Sequence, residues 1–177
     1  LYYGEKKACS NVNLEVRRGE RICLSGRNGC GKSSVLKLIL GEEIAYTGLF
    51  EKGAGLTISY VPQDASWVQG SLRRFAEEYG LDESLFKAIL RKMGMEREQF
   101  EKDMSQYSAG QKKKALLAKS LCERAHVYIW DEPLNYIDVL SRIQIEDLLL
   151  DHAPTMIFVE HDEAFQDKVA TKIVEGW

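Results

Sequence analysis

Residues 26–33 combine glycines, a lysine and a serine at a spacing that suits phosphate binding. They match the pattern G-x-x-x-x-G-K-[ST], between a strand-like run at 21–25 and a helical pattern at 32–40. Glycines let backbone N–H groups face inward, and the N-terminus of the following helix adds a positive dipole end. A lysine charge for terminal phosphates and a serine hydroxyl for Mg²⁺ complete the set. The segment predicts a phosphate loop whose binding residues are Gly26, Asn28, Gly29, Cys30, Gly31, Lys32, Ser33 and Ser34.

Two adjacent acids, Asp131 and Glu132, end an apolar strand pattern at 127–131. In a parallel sheet the carboxyl end of such a strand lies beside the phosphate loop. Asp131 can then reach the water shell of Mg²⁺, and Glu132 can face the terminal phosphate and orient the attacking water. The alternative is a strand that ends in a solvated acidic turn.

A glutamine and a histidine follow two further strand patterns. Gln63 comes after the run at 56–61, and His161 comes after the run at 155–160. An amide at this edge can contact Mg²⁺ or the attacking water, and a neutral imidazole can hydrogen-bond the terminal phosphate. We therefore expect Glu132, His161 and Gln63 to be catalytic, and Ser33, Gln63 and Asp131 to serve the metal. A turn glutamine remains the alternative for Gln63.

A second anion site is predicted at Ser108. Ser108 and Gln111 have the spacing of a capping box, which by itself only starts a helix. The same geometry, with Gly110 permitting close approach, can also bind a phosphate. One nucleotide could then bridge two domains packed head to tail, each contributing one of its sites. The lysines at 112–114 are interpreted as a solvated face.

The spacing of apolar residues predicts an α/β fold with a parallel sheet core, because short strands alternate with helices. Strands are expected at 21–25, 56–61, 127–131 and 155–160, and helices at 32–40, 112–121, 139–149 and 162–169. Residues 11–16 alternate with period two, which predicts an antiparallel strand paired with 48–51. Residues 64–107 have a helical pattern and are expected to form a helical subdomain within a single domain of residues 1–177.

Length and composition limit the classes of protein. The 177 residues are 45% hydrophobic and 29% charged with net charge −3, which excludes a disordered tail and disfavours a broad basic nucleic-acid grip. No apolar run approaches a membrane span, so no direct membrane insertion is expected. The four cysteines form no C-x-x-C pair, and we expect a cytoplasmic protein. Because the chain starts with Leu1, we expect a fragment of a longer protein.

Taken in order, these segments resemble the nucleotide-binding domain of ATP-binding-cassette (ABC) proteins. The resemblance rests on the phosphate loop, Gln63, the signature-like YSAGQ at 107–111, Asp131-Glu132, the D-loop-like residues 135–138 and His161. The sequence has no N-K-x-D stretch of the kind that guanine-specific phosphate-loop proteins carry, which favours adenine as the base. The sequence departs from the family pattern at Tyr107 and Ala109, where Leu and Gly are usual.

The resemblance implies a P-loop NTPase fold with a small antiparallel β subdomain, and ATP with Mg²⁺ as ligands. It implies a sandwich in which Ser108, Gly110, Gln111 and Asp138 of one domain complete the site of a second ABC domain, in the same parent chain or in a homodimer. It also implies an aromatic residue that stacks on adenine, for which Tyr3 is the first candidate. An isolated domain is then expected to hydrolyse ATP slowly.

The stretches YSAGQKKK and IWDEPLNYID narrow the resemblance to the second domain of subfamily F (ABC-F), and within it to antibiotic-resistance members that act on ribosomes. The resemblance thus implies a ribosome partner through the parent protein. Two alternatives remain: the ATP-binding subunit of a membrane transporter, and a nucleotide-gated binding module with little turnover.

Overall fold

A five-stranded parallel sheet forms the centre of the protein in this computed structural model, which describes residues 1–175. In chain order its strands are β3 (Arg21–Leu24), β4 (Ile58–Val61), β5 (Val127–Asp131), β6 (Met156–Val159) and β7 (Lys172–Val174), and their spatial order is β4-β5-β6-β3-β7. Register aligns the strand ends: Val159 pairs with both Leu24 and Asp131, and Val61 pairs with Trp130. The segments that follow these four strands therefore leave the same edge of the sheet.

Helices cover both faces of the sheet. They are α1 (Lys32–Leu40), α2 (Leu72–Glu78), α3 (Glu83–Lys92), α4 (Ala109–Cys122), α5 (Val139–His152) and α6 (Glu163–Val169). Neighbouring strand residues point to opposite faces and enter two separate apolar clusters. Ile22 and Leu24 pack with α1, whereas Cys23 packs in the larger cluster that includes α2 to α6. The α/β fold with a parallel core is confirmed.

Trp130 joins β5 to α4. Its ring is fully buried, and its indole Nε1 donates to the Ser120 hydroxyl at 2.9 Å. Ser120 also hydrogen-bonds to Ser59 of β4 at 2.6 Å. A buried indole needs a partner of this kind, so the tryptophan fixes α4 against the strand that ends in Asp131.

The helical subdomain consists of α2, α3 and two short 3₁₀ turns, Arg97–Glu101 and Met104–Gln106. The α2 and α3 helices begin at the capping residues Ser71 and Asp82, whose side chains accept backbone N–H groups of the first turn. Phe75 stacks on Phe86 with ring centroids 5.8 Å apart. The expectation of a helical stretch between the glutamine and the YSAGQ segment is confirmed.

The antiparallel strand expected at 11–16 is wrong. Residues 11–16 and 48–51 have no strand structure; the small antiparallel sheet is instead β1 (Tyr2–Tyr3) with β2 (Lys6–Lys7). Val12, Leu14 and Val16 are partly buried against the apolar cluster of α1. The alternation therefore reflects burial of one side of an extended segment without ladder pairing.

Across residues 1–175, no helix combines the length and apolar character required to span a bilayer.

Candidate functional site

The phosphate loop joins β3 to α1 and has the shape that its glycines permit. Gly26, Gly29 and Gly31 all have positive φ, and Gly31 is the N-cap of α1 with φ 101°. The Lys32 ammonium folds over the loop and donates to the carbonyl oxygens of Gly26 and Arg27, both at 2.8 Å. The loop thus surrounds its own cation, which is the side chain that the sequence predicts for terminal phosphates.

Gly31 also has no room for a side chain. A Cβ at this position would lie 2.6 Å from the Cys9 Cβ and 2.8 Å from the Ala8 carbonyl oxygen. The segment after the β1–β2 hairpin therefore supports the loop from outside. Tyr3 lies in this hairpin, with 48% of its surface exposed. Its stacking on adenine stays a prediction.

The remaining predicted residues of the loop differ in exposure. Asn28 and Gly29 are exposed at its tip, whereas Cys30 is partly buried, with its thiol 3.7 Å from the Lys32 ammonium. Ser34 is partly buried in the first turn of α1. The structure places all of the predicted phosphate-loop residues in one continuous turn.

Asp131 is buried at the end of β5, beside the loop. Burial, followed by the neighbouring Glu132 charge, raises the pKa of its carboxyl group, whereas the nearby Ser33 side chain acts to lower it. Its Oδ1 atom is buried and has no hydrogen-bond partner in the described part of the chain. A buried carboxylate oxygen without a donor suits a cation or an ordered water.

These oxygens fit the magnesium ion that the family implies. Ser33 and Gln63 offer neutral oxygens, and Asp131 offers a carboxylate oxygen that has no donor. Hard oxygen ligands of this kind are those that Mg²⁺ prefers, together with water and phosphate. Residues 1–175 contain no cluster of three or more histidine, cysteine or acidic side chains that could hold a metal ion.

Glu132 is the centre of a hydrogen-bonded cluster. Its Oε2 atom accepts the side-chain amides of Gln63 at 2.8 Å and Asn135 at 2.9 Å. Its Oε1 atom lies 3.5 Å from Nε2 of His161. The structure thus brings together the three residues predicted to be catalytic from three separate strand ends. Asn135 was not predicted from the sequence to belong to this cluster. It comes three positions after Glu132 in the D-loop-like segment, and that spacing alone does not indicate a contact between the two side chains.

A buried carboxylate behind the cluster, Glu160, was also missed. It accepts the backbone N–H groups of Leu134 at 3.1 Å and of His161 at 2.8 Å. These bonds tie the turn after Glu132 to the turn that carries the histidine. Glu132 itself has left-handed backbone geometry, with φ 49°, which is uncommon for a residue other than glycine.

The predicted capping box at Ser108 is confirmed. The Ser108 hydroxyl accepts the Gln111 N–H at 3.1 Å, and the Gln111 side chain accepts the Ser108 N–H at 3.0 Å. Gly110 packs against the D-loop-like segment so closely that a Cβ would lie 2.5 Å from the Tyr136 carbonyl oxygen. Asp138 caps α5 by accepting the N–H and hydroxyl of Ser141 at 2.9 and 2.7 Å.

The interpretation of residues 112–114 as a solvated face is wrong. Lys113 is 1% exposed and Lys114 is 9% exposed; only Lys112 is partly open. Lys113 donates to the carbonyl oxygens of Pro62 and Gln63, and Lys114 lies 3.6 Å from Asp138. Burial lowers the pKa of the Lys113 ammonium. Three consecutive lysines give no periodic signal, so the sequence does not distinguish the buried ones.

The site and the sheet together define a phosphate-loop nucleotide-binding domain. The family model described as ABC transporter matches residues 9–135, more than half of the chain. The chain belongs to this family, and it is an ABC nucleotide-binding domain.

Three relatives illustrate the range of proteins that contain such domains. The chain is 31% identical over 172 residues to the ribosome protection protein VmlR of Bacillus subtilis, covering 94% of this chain and 31% of that protein. It is 34% identical over 177 residues to the aliphatic sulfonates import ATP-binding protein SsuB 1 of Paraburkholderia xenovorans, covering 90% and 50%. It is 26% identical over 181 residues to ABC transporter F family member 2 of Arabidopsis thaliana, covering 98% and 26%. The chain thus spans no more than half the length of these relatives.

A solved structure gives the same result for the fold. The complex of archaeal ribosomal stalk protein aP1 and archaeal ribosome recycling factor aABCE1 contains a chain similar to this one, with a TM-score of 0.75 and 25% identity. The similarity covers 90% of this chain and 32% of that chain.

Proposed function

We propose that this domain binds ATP with Mg²⁺ and hydrolyses its terminal phosphoanhydride bond. The observation that carries the proposal is the position of Glu132, whose carboxylate is oriented by Gln63 and Asn135 and lies 3.5 Å from His161. A carboxylate oriented in this way at the edge that carries the phosphate loop can align a water for attack on a phosphoryl group.

The residues divide the work. Lys32 exchanges its carbonyl partners for phosphate oxygens, and the loop N–H groups surround the same anion. Ser33 and Gln63 would hold Mg²⁺ directly and Asp131 would hold it through a bound water, and the ion would neutralise charge on the phosphates. Glu132 orients the water and accepts its proton, and His161 contacts the transferred phosphoryl group. Tyr3 stacks on the adenine base.

The second half of the site comes from another ABC domain. The surface that would serve the second domain combines the start of α4 with the D-loop-like segment, and it contains Ser108, Gly110, Gln111 and Asp138. Three apolar side chains beside these residues are largely exposed: Tyr136 by 78%, Val139 by 64% and Leu140 by 66%. Exposed apolar side chains beside polar capping groups are typical of an interface. A second copy, or a second domain in a longer chain, covers this surface.

The parent protein is a soluble, cytoplasmic ABC-F protein that acts on ribosomes and protects them from an antibiotic. This finer proposal is supported by the similarity to a ribosome protection protein and by the YSAGQKKK and IWDEPLNYID stretches. The sulfonate importer subunit supports the competing proposal that the domain serves a membrane transporter.

ATP hydrolysis by the purified chain tests the enzymatic proposal. The rate per molecule should be low in dilute solution and rise with protein concentration, because the second half-site must come from another copy. Equal rates at all concentrations contradict the composite site. Tight MgATP binding with no phosphate release at any concentration favours a nucleotide-gated binding module.

Ribosome co-sedimentation of the full-length protein carrying Glu132→Gln tests the finer proposal. ATP should hold this variant on ribosomes, while the wild type is released after hydrolysis. The transporter is supported instead if the variant fails to sediment with ribosomes in ATP and partitions into membranes beside a transport subunit.

A further inference from the structure

Lys113 in α4 is a buried cation that the proposed hydrolysis does not use. Its side chain is 1% exposed and is among the largest fully buried side chains of the protein. Its ammonium donates to two carbonyl oxygens, that of Pro62 at 3.0 Å and that of Gln63 at 2.7 Å. Both acceptors belong to the segment that directly follows β4.

The same segment delivers the amide that orients the central carboxylate. Gln63 Nε2 donates to Glu132 Oε2 at 2.8 Å, so one residue receives Lys113 on its backbone and contacts Glu132 with its side chain. The carboxylates of Asp131, Glu132 and Glu160 act on the Lys113 charge and offset part of its burial. Lys113 is thus two hydrogen bonds away from the group that orients water.

We infer that Lys113 is a positioning residue for hydrolysis: it fixes the backbone of residues 62–63 so that the Gln63 amide holds Glu132. This inference rests on the proposed ATPase function. Apolar packing alone does not explain a lysine at this position. Transfer of an ammonium group from water to the protein interior costs several kcal/mol unless partners compensate it. The compensation at this position consists of the two carbonyl groups and the surrounding acids.

The neighbouring lysine extends the link to the opposite half-site. Lys114 lies 3.6 Å from Asp138, and the first turn of the same helix begins at Ser108. A single helical segment therefore joins the surface that serves a second domain to the segment that holds Glu132. A shift of α4 on docking would move Gln63 through Lys113.

A double-mutant cycle on the complete chain tests the inference. Lys113→Met removes the ammonium at similar volume, Gln63→Ala removes the amide, and the third protein carries both changes. We expect Lys113→Met to lower kcat by about 10- to 100-fold, the effect of small misplacements at catalytic groups, while KM for MgATP stays nearly unchanged. The double variant should be no slower than Gln63→Ala, because both changes remove the same constraint.

The adjacent lysine is the matched control. Lys112 donates to the Ser66 carbonyl at 2.9 Å and is not within hydrogen-bond distance of residues 62–63. Lys112→Met should therefore leave kcat close to that of the wild type. Should Lys113→Met not fold, Lys113→Gln, which is neutral and one bond shorter, replaces it in the same cycle. The inference is overturned if the effects of Lys113→Met and Gln63→Ala on kcat are additive. It is also overturned if Lys113→Met changes KM instead of kcat.

A spectroscopic readout separates this inference from the proposed function. In the wild type the Gln63 side-chain amide resonance, assigned by its loss in Gln63→Ala, should shift when Glu132→Gln is introduced. In Lys113→Met that dependence should disappear, whether or not the protein hydrolyses ATP. An unchanged dependence in Lys113→Met overturns the positioning role, whereas absence of hydrolysis by the wild type overturns only the proposed ATPase function.

Discussion

Gly110 at the start of α4 lies against the carbonyl oxygen of Tyr136, at a separation that leaves no space for a methyl group. Tyr136 has a positive φ of 65°, which is uncommon for a residue other than glycine. The contact joins the YSAGQ segment to the turn that also contains Asn135, a partner of Glu132. The glycine therefore has a structural role within its own domain, in addition to any contact with a second domain.

Gly110→Ala should destabilise the protein by about 1–3 kcal/mol, the usual effect of overpacking, because the new Cβ would meet backbone 2.5 Å away. Urea unfolding measures the difference. Ala109→Gly is the control, since Ala109 is exposed and its replacement should cost about 1 kcal/mol or less. Equal stability of Gly110→Ala and the wild type contradicts the close contact.

Glu132→Gln should keep MgATP binding and lower hydrolysis by about 100- to 10,000-fold, the contribution of a general base. A glutamine fits the cluster, because its carbonyl can accept the amides of Gln63 and Asn135 while its NH₂ group faces His161. Phosphate release under single-turnover conditions and binding of a fluorescent ATP analogue measure the two effects. A variant that still hydrolyses ATP at the wild-type rate would exclude Glu132 as the base.

Lys32→Ala should abolish detectable nucleotide binding, because it removes the one lysine that the phosphate loop surrounds. Isothermal titration with MgATP tests this expectation. Lys37→Ala in the same helix is the control: its side chain is half exposed and lies near Glu42, so nucleotide affinity should not change. Retained affinity in Lys32→Ala would place the phosphates elsewhere.

Asp138 should make stability depend on pH in acid. Hydrogen bonds from the Ser141 side chain and backbone lower the pKa of this carboxyl from 3.8 to about 2. A lowered pKa in the folded state stabilises the protein above pH 3.8, and this contribution is lost as the pH falls from 3.8 toward 2. Because the side chain is 62% exposed, solvent screening limits the effect to about 1 kcal/mol or less.

The difference in unfolding free energy between the wild type and Asp138→Asn isolates this charge, since asparagine also caps helices. It should favour the wild type at pH 6 and shrink over the acid range. A difference that stays constant between pH 5 and pH 2.5 would exclude the carboxylate as its origin.

Periodic apolar residues between clear end signals were sufficient to predict several elements. The bounds expected for α1 and β5 are those observed, because the glycine at position 41 ends the helix and two acids end the strand. Residues 11–16 show why alternation alone is insufficient: one-sided burial produces it without any ladder partner.

The candidate site was predictable where polar residues follow apolar strands, since parallel register brings such positions to one edge. Gln63, Glu132 and His161 were found by this reasoning. The supporting groups were not. Glu160 directly precedes His161 and reads as the last residue of its strand, and Lys113 reads as one of three surface lysines, although tertiary packing buries both.

The bonds between Lys32 and the carbonyl oxygens of its own loop have a kinetic consequence. The two hydrogen bonds hold the loop in its curved shape, so phosphate binding requires the Lys32 ammonium to exchange carbonyl oxygens for phosphate oxygens. A preorganised cradle of this kind loses little conformational entropy on association. For the proposed ATP-binding function, association with ATP should then be fast, and the lifetime of the complex should depend on closure by the proposed second domain.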